Sequence, residues 1–236
     1  IGIACLKGIA GDLSDYSAND KATVAMVSTT TDSPNQNAWL DAIISEYEKN
    51  KSSKYKHINL LSDEIVYAGN DQGTADEKVK ALLNANPDID GIIALSSNTA
   101  PAVSSARDQL NLKKEIKIIG IAVPETQRAD MEAGKMSAVV LWQPFDLGYL
   151  TLHLAYDLLE GNEPSGDRYK SPLSGTLMAA NFSTGEPVMY PEEGHKIMED
   201  NVVILGPPIV WNLENIGNFR GYPTDAHGMD QFLSED

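Results

Sequence analysis

The sequence predicts an α/β fold, a parallel sheet flanked by helices on both faces. Three observations predict it. Short apolar runs alternate with helical patterns from the first residue to Gly161. The runs are apolar throughout, as strands buried on both faces are. Their crossovers, of roughly 10–15 residues, suit a connecting helix and a parallel neighbour.

The elements follow in order. Residues 1–13 carry Ile1, Cys5, Leu6 and Ile9 on one helical side. Ala22–Val27 (ATVAMV) reads as a buried strand and is followed by a polar loop, Ser28–Asn37, holding Pro34. Trp39, Ile43, Ile44 and Tyr47 recur at helical spacing, with Asp41, Glu46, Glu48 and Lys49 facing away. His57–Val66 (HINLLSDEIV) reads as one strand. Thr74 to Glu77 has the form of a capping box, opening a helix on Ala75, Val79, Leu82 and Leu83 that stops near Asn86-Pro87.

Ile89–Leu95 (IDGIIAL) is the next strand, and Pro101–Leu110 the next helix, with Val103, Ala106 and Leu110 on one face. Ile116–Ile121 is a strand. Pro124–Ala133 is a short helix ended by Gly134. Ala138–Leu141 is a fifth strand, and Asp146–Glu160 a strongly apolar helix closed by Gly161. Residues 162–201 show no clear period. Val202–Leu205 is a last strand-like run before Gly206-Pro207-Pro208, and the stretch from Gly221 reads as a surface tail.

Composition narrows the function. The 236 residues hold 18 Lys and Arg against 34 Asp and Glu, a net charge of −16. Such a surface repels phosphate backbones and anionic lipid, so no nucleic-acid or membrane-surface partner is expected. No window approaches the ~18 consecutive apolar residues of a membrane-spanning helix. No basic stretch leads into an apolar core and a cleavage site, although the chain opens inside a helical pattern. The single cysteine, Cys5, sits in an apolar pattern and reads as a small buried hydrophobe.

Enzyme signatures do not emerge. There is no Gly-rich phosphate loop, no dinucleotide fingerprint and no nucleophile elbow. His57, His153, His195 and His227 are scattered, and His57 and His153 read as structural or surface groups. Asp225, His227 and Asp230 lie in the tail and read as solvated, and Asn181-Phe182-Ser183 matches a glycosylation sequon by form only. No catalytic residue, metal or cofactor is expected.

What remains is polar and aromatic chemistry at the C-terminal ends of the strands, the edge where open parallel sheets bind ligands. Asp32, Asn35, Gln36, Asn37 and Trp39 follow the first strand. Ser96, Ser97 and Asn98 follow the third, Ala122, Val123 and Pro124 the fourth, and Trp142, Gln143 and Asp146 the fifth. Amides and carboxylates there suit paired hydrogen bonds to hydroxyls, and an indole suits the C–H face of a sugar. The alternative is structural: Asn35 and Gln36 as helix caps, Trp39 and Trp142 as core.

Asn35-Gln36-Asn37-Ala38-Trp39, Pro87-Asp88-Ile89-Asp90-Gly91-Ile92-Ile93-Ala94 and the block from Leu141 to Leu150 (LWQPFDLGYL) resemble a known family. It is that of the extracytoplasmic sugar-binding proteins of ABC transporters, ribose type, and the resemblance is nearest to the rhamnose- and autoinducer-2-binding branch. Gly206-Pro207-Pro208 with Asn215-Ile216 resembles the family's closing segment.

The resemblance implies a two-lobed protein with the ligand between the lobes. Residues 1–142 then correspond to the second lobe. Residues 143–217 form the crossing, the apolar helix and return segments that pack on a first lobe lying outside this chain, and 218–236 form a tail. It implies non-catalytic binding of a small neutral sugar and delivery to an ABC permease by hinge closure. The ligand contacts it implies fall on Asn35, Gln36, Leu95, Ser97 and Trp142, and the strand-end reading adds Trp39, Asn98, Pro124 and Asp146 to the candidates. Autoinducer-2 binders carry aspartate at Asn35, and proline and alanine at Leu95 and Ser97, while ribose binders carry aspartate near Ala122. A rhamnose-like deoxysugar, another pentose or a hexose fits better. Without a first lobe, the 146–160 helix is expected to find another surface, by forming a homodimer or by folding back on the second lobe. Two other uses of this fold, the effector domain of a repressor and a receptor sensor domain, share these features, and a sugar-processing α/β enzyme lacks its chemistry here.

Overall fold

The computed structural model describes residues 1–112, 114–180, 187–198 and 202–218. The helices are α1 (Gly2–Asp12), α2 (Pro34–Asn50), α3 (Gln72–Ala85), α4 (Thr99–Gln109), α5 (Arg128–Glu132) and α6 (Pro144–Leu159). The strands are β1 (Ala22–Ser28), β2 (Ile58–Leu60), β3 (Val66–Tyr67), β4 (Ile89–Ala94), β5 (Lys117–Gly120), β6 (Ala138–Leu141), β7 (Arg168–Tyr169), β8 (Leu177–Ala180), β9 (Pro187–Met189), β10 (His195–Lys196) and β11 (Ile209–Trp211).

The main sheet runs β11-β6-β5-β4-β1-β2, with β3 also on β1. All its pairs are parallel except β11 on β6. From β1 the chain moves outward to β2, and from β4 it moves the other way to β5. Right-handed crossovers in opposite directions place helices on opposite faces. Accordingly α1 packs on α2 and across β4, β5 and β6, while α3 packs on α4. Every residue of β4 is buried, as its continuous apolar pattern requires. Beneath the sheet, the buried Asp90 accepts from Tyr16 Oη at 2.6 Å, from the Thr23 amide at 2.7 Å and from Lys114 Nζ at 2.8 Å.

Several expectations are corrected. The single strand over 57–66 is two: β2 pairs with the start of β1 and β3 with its end, because the polar Ser62-Asp63-Glu64 turn interrupts the run. The cap of α3 is Asp71, not Thr74: its Oδ1 accepts the Thr74 amide at 2.8 Å, one turn earlier than the capping-box reading. Helix α4 begins at Thr99, since Pro101 is tolerated in a first turn. Residues 124–133 divide into a 3-10 turn, Pro124–Gln127, and α5. Val202–Leu205 is no strand: Val203 makes only a lone bridge to Ile197. The strand that completes the sheet is β11, just beyond the Pro-Pro pair. The aperiodic stretch after Gly161 holds two small antiparallel pairs, β7 with β10 and β8 with β9. Asn181, the Asp225, His227 and Asp230 group, and the tail from Gly221 lie outside the described residues.

Cys5 is fully buried, and burial pushes its thiol up to about 12. Helix α6 is the exception to this packing. Of its residues only Asp146 and Leu150 are buried, while Leu147, Tyr149, Leu152, Tyr156, Leu158 and Leu159 are exposed.

Candidate functional site

The order of winding reverses between the parallel neighbours β1 and β4, and such a switch point, at the C-terminal ends of the strands, is where open sheets of this kind bind ligands. The loop after β1 is braced from within. Thr29 Oγ1 donates to Ser33 Oγ at 3.0 Å, Thr30 and Ser33 hydroxyls meet at 2.9 Å, and Asn37 Nδ2 donates to Thr31 O at 2.9 Å. Pro34 fixes the first residue of α2, whose N-cap Ser33 makes no side-chain bond to the first turn. Asn35 is exposed there, and Gln36 and Trp39 are half-buried. Neither amide caps the helix, so the structural reading of Asn35 and Gln36 as caps is not what the geometry shows.

The loop after β4 is a second braced turn. The Leu95 amide donates to Val27 O at 2.8 Å, carrying the ladder one residue past the strand. Thr99 Oγ1 donates to Ser96 O at 2.9 Å, and Ser96 Oγ donates to Asn98 Oδ1 at 2.5 Å. Ser97 is thereby left exposed at the tip and Asn98 half-buried beside it.

Gly69 joins the two loops. Its amide donates to Thr29 O at 2.8 Å, and its carbonyl accepts from Asn98 Nδ2 at 3.2 Å. Its φ of +73° is a left-handed conformation that glycine adopts without strain. Sequence reasoning missed this residue. Its signal was the Ala68-Gly69-Asn70 turn, in the stretch between the strand read to Val66 and the helix read from Thr74.

At the far end, Trp142 leaves β6 and meets Trp39 with ring centroids 6.4 Å apart at 49°. The residue that follows β6 therefore meets the second turn of α2. Asp32 stands fully exposed at the mouth, and a hydrogen bond from Thr30 with one from its own backbone holds its carboxyl below the usual range. An ionised carboxylate there is a hydrogen-bond acceptor.

Of the candidates, Trp39 and Trp142 are in contact, Asn98 is tied to the first loop through Gly69, and Asn35, Gln36 and Ser97 lie on the segments after β1 and β4 with accessible side chains. Three others are placed differently. Leu95 is fully buried, so its side chain belongs to the core. Pro124 is buried at the start of its 3-10 turn. Asp146 is buried, and its Oδ2 accepts from Tyr190 Oη at 2.8 Å.

The arrangement offers amides, hydroxyls and indoles on the segments that follow the strands. Among the described residues no three His, Cys, Asp or Glu side chains converge as metal ligands, and no helix is long and apolar enough to cross a membrane. His57 bonds Ala10 O through Nε2 at 2.9 Å, and His153 lies edge-on to Tyr149 at 4.8 Å. His195 Nε2 meets Ser171 Oγ at 2.8 Å and its Nδ1 meets Leu205 O at 2.9 Å, a buried pair beside β7 and β10 rather than on the loops after β1 and β4.

Solved structures share this architecture. A sugar ABC transporter protein from Actinomyces odontolyticus superposes with a TM-score of 0.68 at 23% identity over 94% of this chain and 63% of its own. An ABC transporter solute-binding protein from Clostridium phytofermentas, with bound L-rhamnose, gives 0.66 at 22% identity over 91% of this chain and 65% of its own. LsrB from Clostridium saccharobutylicum, in complex with AI-2, gives 0.68 at 20% identity over 92% of this chain and 67% of its own. The chain thus spans about two thirds of the length of these proteins. The periplasmic binding protein domain matches residues 8–163, from within α1 to just beyond α6. With its strand order and sequence match in agreement, the chain belongs to the periplasmic binding protein domain family.

Proposed function

We propose that this chain supplies one lobe of an extracytoplasmic sugar-binding protein that feeds an ABC importer. Residues 1–142 form the ligand-contacting lobe, to whose sheet β11 returns, and the rest of residues 143–217 form the crossing and the segments that pack on the other lobe. The ligand is a small neutral sugar: a rhamnose-like deoxysugar, a pentose or a hexose. The lobe holds it without chemical change and presents it to a permease when the hinge closes.

One observation supports this reading. The loops that follow β1 and β4 are tied together through Gly69, and these two segments carry the amides and hydroxyl of Asn35, Gln36, Ser97 and Asn98. Asn35 and Gln36 pair with hydroxyls, and Trp39 and Trp142 offer an aromatic wall to C–H groups. L-rhamnose bound to the Clostridium phytofermentas relative and D-arabinose bound to an Agrobacterium radiobacter relative support the ligand class.

Micromolar affinity needs about 8 kcal/mol of binding free energy, and a single lobe offers roughly half the contacts. Isolated, the chain is expected to bind at about millimolar strength. Saturation-transfer NMR against L-rhamnose, D-arabinose, D-ribose and D-glucose tests this. Transfer to at least one sugar, abolished in Asn35→Ala with Gln36→Ala, is the expected outcome. Transfer that survives both substitutions, or a sugar that changes chemically during the measurement, overturns the reading.

A further inference from the structure

The joint between the sheet and α6 is constrained at almost every residue. Ile209 of β11 lies opposite Leu141 of β6. The chain therefore leaves the sheet at Trp142 and returns at Pro208 side by side. The returning strand is Gly206-Pro207-Pro208, where two rings fix φ and each proline restricts the residue before it. In the outgoing strand, Gln143 precedes Pro144 and takes the extended conformation that proline demands, with φ −83° and ψ 106°. Trp142 is the residue left without such a restriction.

What restrains Trp142 is a ring from another element. Trp39 faces it at 6.4 Å. The Trp39 backbone is itself fixed: a Cβ built on Gly2 of α1 would lie 2.3 Å from Trp39 O, so α1 and α2 meet with no slack at this point. On the other side of the joint α6 buries only Asp146 and Leu150, and bonds from Tyr190 to Asp146 and from Tyr169 to Asp157 tie it to the segments that follow it.

We propose that Trp39 is the positioning residue of this joint, its ring acting through Trp142 as a stop that sets the resting angle between the sheet and the α6 segment. This rests on the reading of residues 1–142, with the returning β11, as one body and of the α6 segment between them as another. It adds a device outside the crossing that biases how far the joint opens.

Spin labels at Glu77→Cys and Asn162→Cys, both exposed, report the angle by double electron–electron resonance, since the buried Cys5 takes no label. Trp39→Ala is expected to broaden or shift the distance distribution. It is also expected to raise amide exchange at Trp142, Gln143 and the first turn of α6 by roughly three- to tenfold, the population shift of one aromatic pair, with β1 and β4 still protected. Trp39→Phe should fall between, and Trp39→Leu replaces the alanine variant if that does not fold. An unchanged distribution, or exchange that rises equally in β1 and β4, overturns the proposal and leaves the pair as ordinary packing. No sugar is present, so a failure of the sugar reading leaves this result intact.

Discussion

The Tyr190 hydroxyl donates to Asp146 Oδ2 at 2.8 Å with both side chains buried. The bond pins the residue after β9 to the first turn of α6. There an acidic side chain also suits the positive end of the helix. Asp146 is therefore engaged within its own segment.

Tyr190→Phe removes the donor and leaves a buried carboxylate short of one partner. The expected cost is about 1–3 kcal/mol. A lower urea midpoint with an unchanged slope would show it. A midpoint equal to wild type would mean that water reaches Asp146.

Asp90 sets an acid limit on the sheet. Burial raises its pKa, but the bonds from Lys114, Tyr16 and the Thr23 amide outweigh burial and hold the carboxyl below its ordinary range. A carboxyl depressed on folding contributes stability above its unfolded pKa and loses it as pH falls through the folded value. Stability should therefore decline below about pH 4. Asp90→Asn, which turns a donor toward other donors, should lower stability by about 2–3 kcal/mol at pH 7 and flatten the acid decline. Lys114→Ala, at a partly exposed group, should cost about 1 kcal/mol or less. An acid decline of equal steepness in Asp90→Asn would assign it to other carboxylates.

Two sheet glycines should respond differently to a methyl group. A Cβ at Gly120 would lie 2.2 Å from Ala94 O, a backbone atom that cannot move without parting β4 and β5. At Gly91 the nearest atoms are the ends of the Leu13 and Ile9 side chains, at 2.9 and 3.1 Å, which have rotamers to use. Gly120→Ala is expected to lose more than about 4 kcal/mol or fail to fold, and Gly91→Ala about 1–2 kcal/mol. Equal midpoints for the two variants would contradict the packing argument.

The legible and illegible parts of the fold separate along physical lines. Strands buried on both faces, such as Ile89–Ala94, announce themselves by continuous apolar runs, and the helices between them by spacing. The loops after β1 and β4 were legible as loops because the ends of strong apolar runs fix where they begin. Ile209–Trp211 was hidden because its three residues follow two prolines and are stabilised by register with β6 rather than by local pattern. Gly69 was hidden because its role lies in backbone bonds to Thr29 and Asn98, which no spacing reveals. Leu95 was misplaced because the last residue of a run and the first of a loop differ by one step, and that step turns a side chain from rim to core.

Cys5 offers a probe of global opening. Its thiol is fully buried and pushed up to about 12, so at pH 8 it is both inaccessible and un-ionised. Thiol reagent should react with the native chain only through unfolding, at a rate that rises with urea as the unfolded fraction does. Rapid reaction without denaturant would mean that α1 detaches locally from the sheet.

The outer face of α6 decides what the chain does when alone. Leu152, Tyr156 and Leu159 are 73, 60 and 86% exposed, in a helix whose remaining turns carry further leucines. Burying each such side chain is worth about 1.5–3 kcal/mol, so water is a poor final neighbour for this surface. In the proposed assembly the other lobe covers it. In the isolated chain a second copy is the available cover, and sedimentation should show a dimer at tens of micromolar. Leu152→Glu with Leu159→Glu should return the chain to a monomer. Its urea midpoint should move little, since both side chains are largely exposed and exposed substitutions cost about 0.5 kcal/mol or less. A wild-type chain that sediments as a monomer throughout this range would sink the self-association. A dimer that survives both substitutions would place its interface elsewhere.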